Sequence, residues 1–336
     1  MTGGLSGVTG SRPPGGAADP VVRLRLDSWE PDYGASSALE QEVGEAVGRE
    51  DLAVEGEWAP RRPVAGAPPT SVAFIDGVRR IEARLFAETE EGVAPAVAGA
   101  WGVGVVRLGE AGVGPLLVGR TLVVGGGLTH PPMEVPVGSD TLVYEPLGVA
   151  GSSPLDVVQG LQNRMREEEA ALARALLKEE RPPLLLLDGP LTYAAGDQPV
   201  VGVIKRQSRA YLPPEASGIL GLLQTGERTP LFLIGDQRLE RYAWYTRIAR
   251  GREIDGALTG ILRLEVSTAV GVRQAGVLAD ATTLLLPGLA SDRVRDPRAP
   301  QNLYPVGRLE AVLRHRLGDA GLIRRGIETA LWRGRG

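Results

Sequence analysis

Two aspartates each close an apolar run and are followed by glycine. Asp76 ends the run in "SVAFIDGVRR", and Asp188 ends the run in "PPLLLLDGPL". Four consecutive leucines are typical of a strand that is covered on both faces. An Asp-Gly pair after a strand is also common in ordinary turns, so either aspartate alone is compatible with a purely structural role.

A third acidic position lies on the longest predicted helix, which runs from Pro154 to Lys178. The apolar stripe of this helix skips one turn, and Glu168 and Glu169 fill that turn. Such a pair alone is typical of a solvated helix flank. The combined order of Asp76, the glutamate pair and Asp188 on successive elements is harder to explain without a shared function.

Carboxylates that converge from separate elements are hard oxygen ligands, which suit Mn²⁺ or Mg²⁺. Two such ions about 4 Å apart can activate a water and stabilise the leaving oxygen in phosphodiester cleavage. We therefore expect Asp76, Asp188 and one of the two glutamates to form the metal centre of a phosphodiesterase.

Lys205 is an unusual residue for this chain, because only two of its 37 basic residues are lysines, Lys178 and Lys205. Lys205 ends the apolar run "VVGVIK". A lysine ammonium there is suited to contact a scissile phosphate or an attacking water. The alternative is a structural lysine that extends from the strand end into solvent.

Composition excludes several other chemistries. The chain has no cysteine, and its two histidines, His130 and His315, offer no credible Ser-His-Asp order. Neither a signal peptide nor an apolar run of about 20 residues is present, which predicts a cytoplasmic protein with no membrane contact. Residues 1–60 carry 11 acids and four arginines, a net charge of −7, whereas residues 291–336 carry ten arginines and five acids, a net charge of +5. The basic end is compatible with a nucleic-acid partner or with a solvated surface.

The chain of 336 residues divides into an extension and one domain. Residues 1–70 are predicted to be an N-terminal extension, with 1–20 disordered because they are rich in glycine and proline. Residues 71–336 are predicted to be an α/β domain with a helical insertion at about 215–251. The apolar residues of the extension, Val22 and Leu24 among them, are suited to pairing with a partner subunit.

Five motifs in order resemble the NurA nucleases: "FIDGVRR", "LLLLDGPL", "GVIK", "RYAWYTR" and "YPVGRLEAVLRH". The resemblance covers roughly residues 71–317. It implies an RNase H-like mixed sheet flanked by helices, related to the PIWI module. It also implies a homodimeric ring that docks on a hexameric HerA-type ATPase and degrades DNA with manganese during resection of double-strand breaks.

The resemblance also implies roles for single residues. It makes Asp76 and Asp188 metal ligands, makes Glu169, or its neighbour Glu168, a third ligand, and assigns Lys205 to catalysis. Many members carry a histidine or aspartate shortly after the "YP…EA" motif, where this chain has Val312. His315, one turn further along, is the nearest substitute as a fourth ligand.

Candidate contacts to DNA are the arginines beside the acidic motifs and two aromatic residues that could stack on bases. These residues are Arg79, Arg80, Arg206, Tyr242 and Tyr245. The alternative for the tyrosines is packing in the core.

The residues predict a metal-dependent nuclease with two Mn²⁺ or Mg²⁺ ions, and the resemblance implies that it acts on DNA and is of the 5′–3′ exonuclease and single-strand endonuclease type. One alternative is a catalytically silent PIWI-like adaptor that binds DNA on a translocase ring. An RNase or a Holliday-junction endonuclease on the same fold is another.

Overall fold

The computed structural model of the protein describes residues 22–27, 52, 54–63, 68–179, 183–191, 199–206, 211–236, 239–294 and 296–333. The strands of this part of the chain are β1 (Arg23–Leu26), β2 (Val72–Thr89), β3 (Gly92–Arg107), β4 (Leu116–Val124), β5 (Met133–Val137), β6 (Asp140–Gly148), β7 (Leu184–Asp188), β8 (Val200–Ile204), β9 (Phe232–Asp236), β10 (Leu239–Arg247) and β11 (Ile261–Ser267). Its α-helices are α1 (Pro154–Leu176), α2 (Pro214–Ser217), α3 (Ile219–Leu222), α4 (Val272–Leu285), α5 (Tyr304–Arg316) and α6 (Ala320–Arg333).

The described strands form one mixed sheet in the order β5-β6-β4-β3-β2-β7-β8-β11-β10-β9, with β1 paired to β2. In its centre, β2, β3 and β4 are antiparallel neighbours, whereas β7 runs parallel to β2 and β8 parallel to β7. Helix α1 packs on one face of this centre, and α4 and α5 pack on the other. The predicted mixed sheet flanked by helices is therefore confirmed.

The apolar run of β7 is explained by burial on both faces. Leu185 and Leu187 pack against α1, and Leu186 packs against the cluster that includes α4 and α5. Burying a leucine side chain contributes roughly 1.5–3 kcal/mol. The strand is consequently fixed along its length, and the backbone of Asp188 at its tip is fixed with it.

Helix α1 begins where the sequence places a start signal. Ser153 accepts a hydrogen bond from the backbone of Asp156, and the Asp156 carboxylate bonds back to the Ser153 backbone, which forms a capping box. Pro154 occupies the first turn, where its missing N–H costs nothing. The buried face of the helix includes Leu161, Met165 and Glu169.

The helical insertion predicted for 215–251 is wrong in its larger part. Helices α2 and α3 occupy only seven residues of it, and β9 and β10 follow as strands. Trp244 packs on one side of the sheet and Tyr245 on the other. A strand covered on both faces shows no clean alternation, and its run of bulky residues then imitates a buried helix.

The described parts of the N-terminal extension pack on the same chain. Strand β1 pairs antiparallel with the second half of β2. Val22 and Leu24 pack against a cluster that includes α6. These two residues thus pack beside α6 of their own chain, and their pairing with a partner subunit or the translocase stays a prediction. Residues 1–21 and 28–51 lie outside the described part. Among the helices described, none is both long and apolar enough to traverse a bilayer.

A buried polar network attaches the end of α5 to the sheet. Glu82 on β2 is 3% exposed and accepts hydrogen bonds from Arg80, at 2.7 Å, and from the hydroxyl of Tyr144. The Arg80 guanidinium also donates to the backbone oxygens of Leu317 and Gly318, at 3.0 and 2.7 Å. Arg80, predicted to contact DNA, instead holds the C-terminal end of α5.

We expect Glu82→Ala to lower the free energy of unfolding by about 3–5 kcal/mol, because it leaves Arg80 in a largely buried site without its carboxylate. Glu88→Ala is the matched control on the same strand. The Glu88 side chain is 42% exposed and pairs with Arg25, so its loss should cost less than about 1 kcal/mol. Urea denaturation measures both. Equal losses would contradict a structural role for this network.

Candidate active site

The parallel pairing of β2 with β7 brings the two predicted aspartates together. Ile75 lies opposite Leu187 in this register, so the next residues, Asp76 and Asp188, are side by side. Asp188 ends β7, whereas Asp76 lies within β2, which continues to Thr89. Asp76 is only 6% exposed. The two carboxylates are therefore neighbours in the centre of the sheet, as the prediction of convergent carboxylates requires.

A third carboxylate comes from α5. One oxygen each of Asp76, Asp188 and Glu310 lies within 4.8 Å of the others. Leu309 and Leu313 pack this helix on the sheet, and Glu310 sits beside Leu309 with 9% of its surface exposed. We call these three residues the acidic cluster.

Sequence reasoning missed Glu310, although it is the glutamate of the motif "YPVGRLEAVLRH". The available signal was the one that identified Glu169, a carboxylate next to the apolar stripe of a helix. His315, predicted as the fourth ligand, is exposed and lies outside the acidic cluster. Five residues along a helix rotate a side chain by about 140° away from Glu310, which is why His315 faces solvent.

The electrostatics of the acidic cluster favour a bound cation. Burial, and then the neighbouring Asp188 carboxylate, raise the pKa of Asp76 well above its ordinary value. Its Oδ2 atom is buried and accepts no hydrogen bond among the described residues. A carboxylate oxygen that has lost water without gaining a donor is costly unless a cation replaces the water. The residues therefore fit a divalent ion with oxygen ligands.

Glu169 lies beside the acidic cluster but is not one of its three carboxylates. It is 1% exposed on α1 and approaches from the opposite face of the sheet, where Gly77 leaves room. A Cβ atom at Gly77 would lie 2.6 Å from Glu169 Oε1. Arg166 donates to Glu169 Oε2 at 3.0 Å and to the backbone oxygen of Asp188 at 2.5 Å. Burial raises the pKa of Glu169, and Arg166 opposes this increase.

Glu168 does not contribute to the site. Its carboxylate pairs with Arg164 at 2.6 Å on the outer side of α1. Adjacent helical residues point about 100° apart, so only one of the two glutamates can face the sheet. Of the two glutamates, Glu169 is therefore the one that faces the sheet, and its role as a ligand stays a prediction.

Lys205 is directly bonded to the acidic cluster. Its Nζ atom donates to Asp188 Oδ2 at 2.6 Å and to Asn302 Oδ1 at 2.6 Å. An ammonium group has three donors, so one remains for a further acceptor. Lys205 directly follows β8, which pairs with β7, so it lies beside the strand that bears Asp188, as predicted.

The predicted DNA contacts have different surroundings. Arg206 is exposed immediately after Lys205, whereas Arg79 donates to Gln162 on α1 at 2.5 Å. Tyr242 is half-buried. Tyr245 is 1% exposed and stacks on Phe232, with ring centroids 5.6 Å apart. Stacking of Tyr245 on a base is therefore wrong, because β10 turns its ring into the core.

Among the solved structures that are similar to the chain are two nucleases. The NurA nuclease from Sulfolobus solfataricus has 13% identity and a TM-score of 0.40, and the match covers 81% of this chain and 84% of that one. Endonuclease V from Bacillus subtilis has 15% identity and a TM-score of 0.32, and the match covers 76% and 87% of the two chains. No curated protein sequence matches the chain.

A protein family also matches most of the chain. Residues 70–311 match the NurA domain. The matched range contains Asp76 on β2, Asp188 at the end of β7, and Glu310 on α5. All three members of the acidic cluster thus lie inside the family domain. The chain belongs to the NurA domain family.

Proposed function

We propose that the protein is a metal-dependent nuclease that hydrolyses phosphodiester bonds in DNA. The observation that carries this proposal is the convergence of Asp76, Asp188 and Glu310 within 4.8 Å of one another at the end of β7. Membership of the NurA domain family supports it.

Manganese, or magnesium in its place, suits the acidic cluster, because both ions prefer carboxylate ligands. Asp76, Asp188 and Glu310 would hold the first ion, and Glu169 together with Asp188 would serve a second. Such ions, when bound, supply an activated water and stabilise the oxygen that leaves the phosphorus. Glu169 is a buried carboxylate with an oxygen that has no donor among the described residues, which supports its part in the site.

Lys205 has a separate role in this proposal. Its two hydrogen bonds hold the ammonium at Asp188 and leave one proton free. That proton would be donated to a non-bridging oxygen of the scissile phosphate, where negative charge develops during hydrolysis. A compact ammonium suits this task, since it can follow a phosphate oxygen through a small displacement.

A cavity of about 720 Å³ adjoins Glu310. Its lining includes Tyr304 and three arginines, Arg298, Arg308 and Arg314. Arginines and an accessible aromatic ring are the groups that contact the phosphates and bases of a single strand. The cavity supports a substrate strand as the ligand of this face, and the exposed Arg206 would extend the contact on the side of β8.

The wider role that we propose follows from the family. The nuclease would act as a homodimer with a HerA-type hexameric ATPase, in the resection of double-strand breaks for recombinational repair. It would combine 5′–3′ exonuclease and single-strand endonuclease activity. The acidic net charge of −4 weakens long-range attraction to DNA, which favours a partner that delivers the substrate.

A catalytically silent PIWI-like adaptor is the second candidate. One observation favours it: Val312 occupies the position where many relatives have a metal-binding side chain, and Glu310 is already bonded to Arg298. The two candidates differ in one property. The adaptor would bind DNA without cleaving it under any choice of metal.

The direct test digests end-labelled single- and double-stranded DNA with Mn²⁺, Mg²⁺ or chelator, with and without a HerA-type ATPase. We expect cleavage that requires a divalent ion and falls at least about 100-fold in Asp188→Asn, which loses one ligand charge but keeps its shape. Asp140→Asn, on an exposed residue of β6, is the control and should retain full activity. Cleavage that persists in chelator or in Asp188→Asn would refute the proposal.

The shifted pKa of Asp76 predicts how stability depends on pH. Its pKa is higher in the folded protein than its ordinary value of 3.8, so the folded protein binds the proton more tightly than the unfolded chain. The contribution of Asp76 to the free energy of unfolding is therefore greatest at acidic pH and falls as the pH rises from about that ordinary value through the folded pKa. At neutral pH, the ionised Asp76 destabilises the metal-free protein.

We therefore expect Asp76→Asn, in chelator at neutral pH, to be more stable than the unmodified protein by about 1–3 kcal/mol. Mn²⁺ should reverse this order, because only the intact cluster gains stability from the ion. Thermal unfolding with and without Mn²⁺ measures both effects. A variant that is less stable than the original in chelator would contradict the electrostatic description of the site.

A further inference from the structure

Residues 296–302, which precede α5, are held together by the Asp296 carboxylate. Asp296 accepts hydrogen bonds from the backbone N–H of Arg298 at 2.8 Å, from the Arg298 guanidinium at 3.1 Å and from the Asn302 amide at 2.5 Å. Although burial acts in the opposite direction, these bonds lower the pKa of Asp296 to about 2. Arg298 and Asn302 are consequently fixed relative to each other.

Arg298 holds the acidic cluster on the side of α5. Its Nη1 donates to Glu310 Oε1 at 2.9 Å, and its Nη2 donates to Glu310 Oε2 at 2.8 Å. A two-pronged contact of this kind fixes both the position and the plane of a carboxylate. Each carboxylate oxygen has a second lone pair, so Glu310 can accept these bonds and bind a cation at the same time.

Asn302 holds the acidic cluster on the side of β8. It is completely buried, and its Oδ1 accepts the hydrogen bond from Lys205 Nζ. Its Nδ2 donates to Asp296, which leaves the amide only one orientation. Lys205, in turn, bonds to Asp188. Asn302 therefore determines the direction from which the ammonium reaches the cluster.

Hydrogen bonds thus run without interruption from Asp188 through Lys205, Asn302, Asp296 and Arg298 to Glu310. The chain of bonds links two members of the acidic cluster that belong to elements far apart in sequence. We propose that Arg298 and Asn302 are positioning residues, which orient Glu310 toward the cation and Lys205 toward the substrate phosphate. This inference rests on the proposed nuclease function and adds two residues that do not themselves touch the reacting atoms.

Arg298 could also act against metal binding, and that role predicts the opposite change in Mn²⁺ affinity. If its positive charge competed with the cation for Glu310, removing it would tighten metal binding. If it orients Glu310, removing it frees the carboxylate to rotate and weakens metal binding. The sign of the change in Mn²⁺ affinity therefore separates the two roles.

The test compares Arg298→Gln with Arg293→Gln. Arg293 also makes an ion pair, at 2.6 Å, but with Asp255, which lies outside the acidic cluster. Titration of each variant with Mn²⁺ in the absence of DNA gives its Kd, measured by melting temperature and by calorimetry. We expect the Kd to rise about 10–100-fold in Arg298→Gln, as is usual for residues that orient metal ligands, and to stay unchanged in Arg293→Gln. Arg298→Lys should recover part of the loss, since it keeps the charge but makes one bond.

Asn302→Ala tests the other end through kinetics. We expect kcat to fall about tenfold or more with KM and Mn²⁺ affinity nearly unchanged, because Lys205 loses its orientation while the carboxylates remain. Arg298→Gln keeps the test decisive if Asn302→Ala folds poorly, because Arg298 is half-exposed. An unchanged or tightened Kd in Arg298→Gln overturns the inference while the nuclease function stands. An unmodified protein that neither binds Mn²⁺ nor cleaves DNA overturns both.

Discussion

The parallel pairing of β2 with β7 is the constraint on which the site depends. It fixes Asp76 next to Asp188, and two carboxylates at this distance repel each other where little water screens them. The leucines of β7 and the facing residues of β2 are buried on both sides, so neither strand can slide to separate the charges. The stability of the core thus maintains an arrangement that is unfavourable until a cation enters it.

The two faces of the sheet contribute different parts of the site. Helix α5 brings Glu310 to the face on which it packs, and α1 brings Glu169 to the other face, through the space left by Gly77. Each helix also has an arginine contact near its carboxylate, Arg166 on α1 and Arg298 before α5. The site therefore combines Asp76 and Asp188, which adjacent strands hold in place, with two helical carboxylates whose orientation depends on these arginines.

The sequence was sufficient for features that local pattern determines. Apolar runs that stop at an acid located Asp76 and Asp188, and a carboxylate within an apolar helical stripe located Glu169. Glu310 was missed because the rotation of α5 on the sheet, which turns Glu310 toward Asp76 and Asp188, is a tertiary property. Tyr245 and β10 were misjudged because a strand buried on both faces and a buried helix look alike in sequence. The hydrogen bonds from residues 296–302 to Lys205 and Glu310 depend on how distant parts of the chain pack together, which no local pattern encodes.

The most direct test of the central claim is anomalous diffraction from crystals of the protein soaked in Mn²⁺. The account predicts a manganese peak with oxygen ligands from Asp76, Asp188 and Glu310 at about 2.0–2.2 Å, distances close to those of other small divalent ions. Asp188→Asn crystals should lose this peak or show it greatly weakened. A saturating Mn²⁺ soak with no peak between these three carboxylates, or with the ion bound elsewhere, would contradict the account.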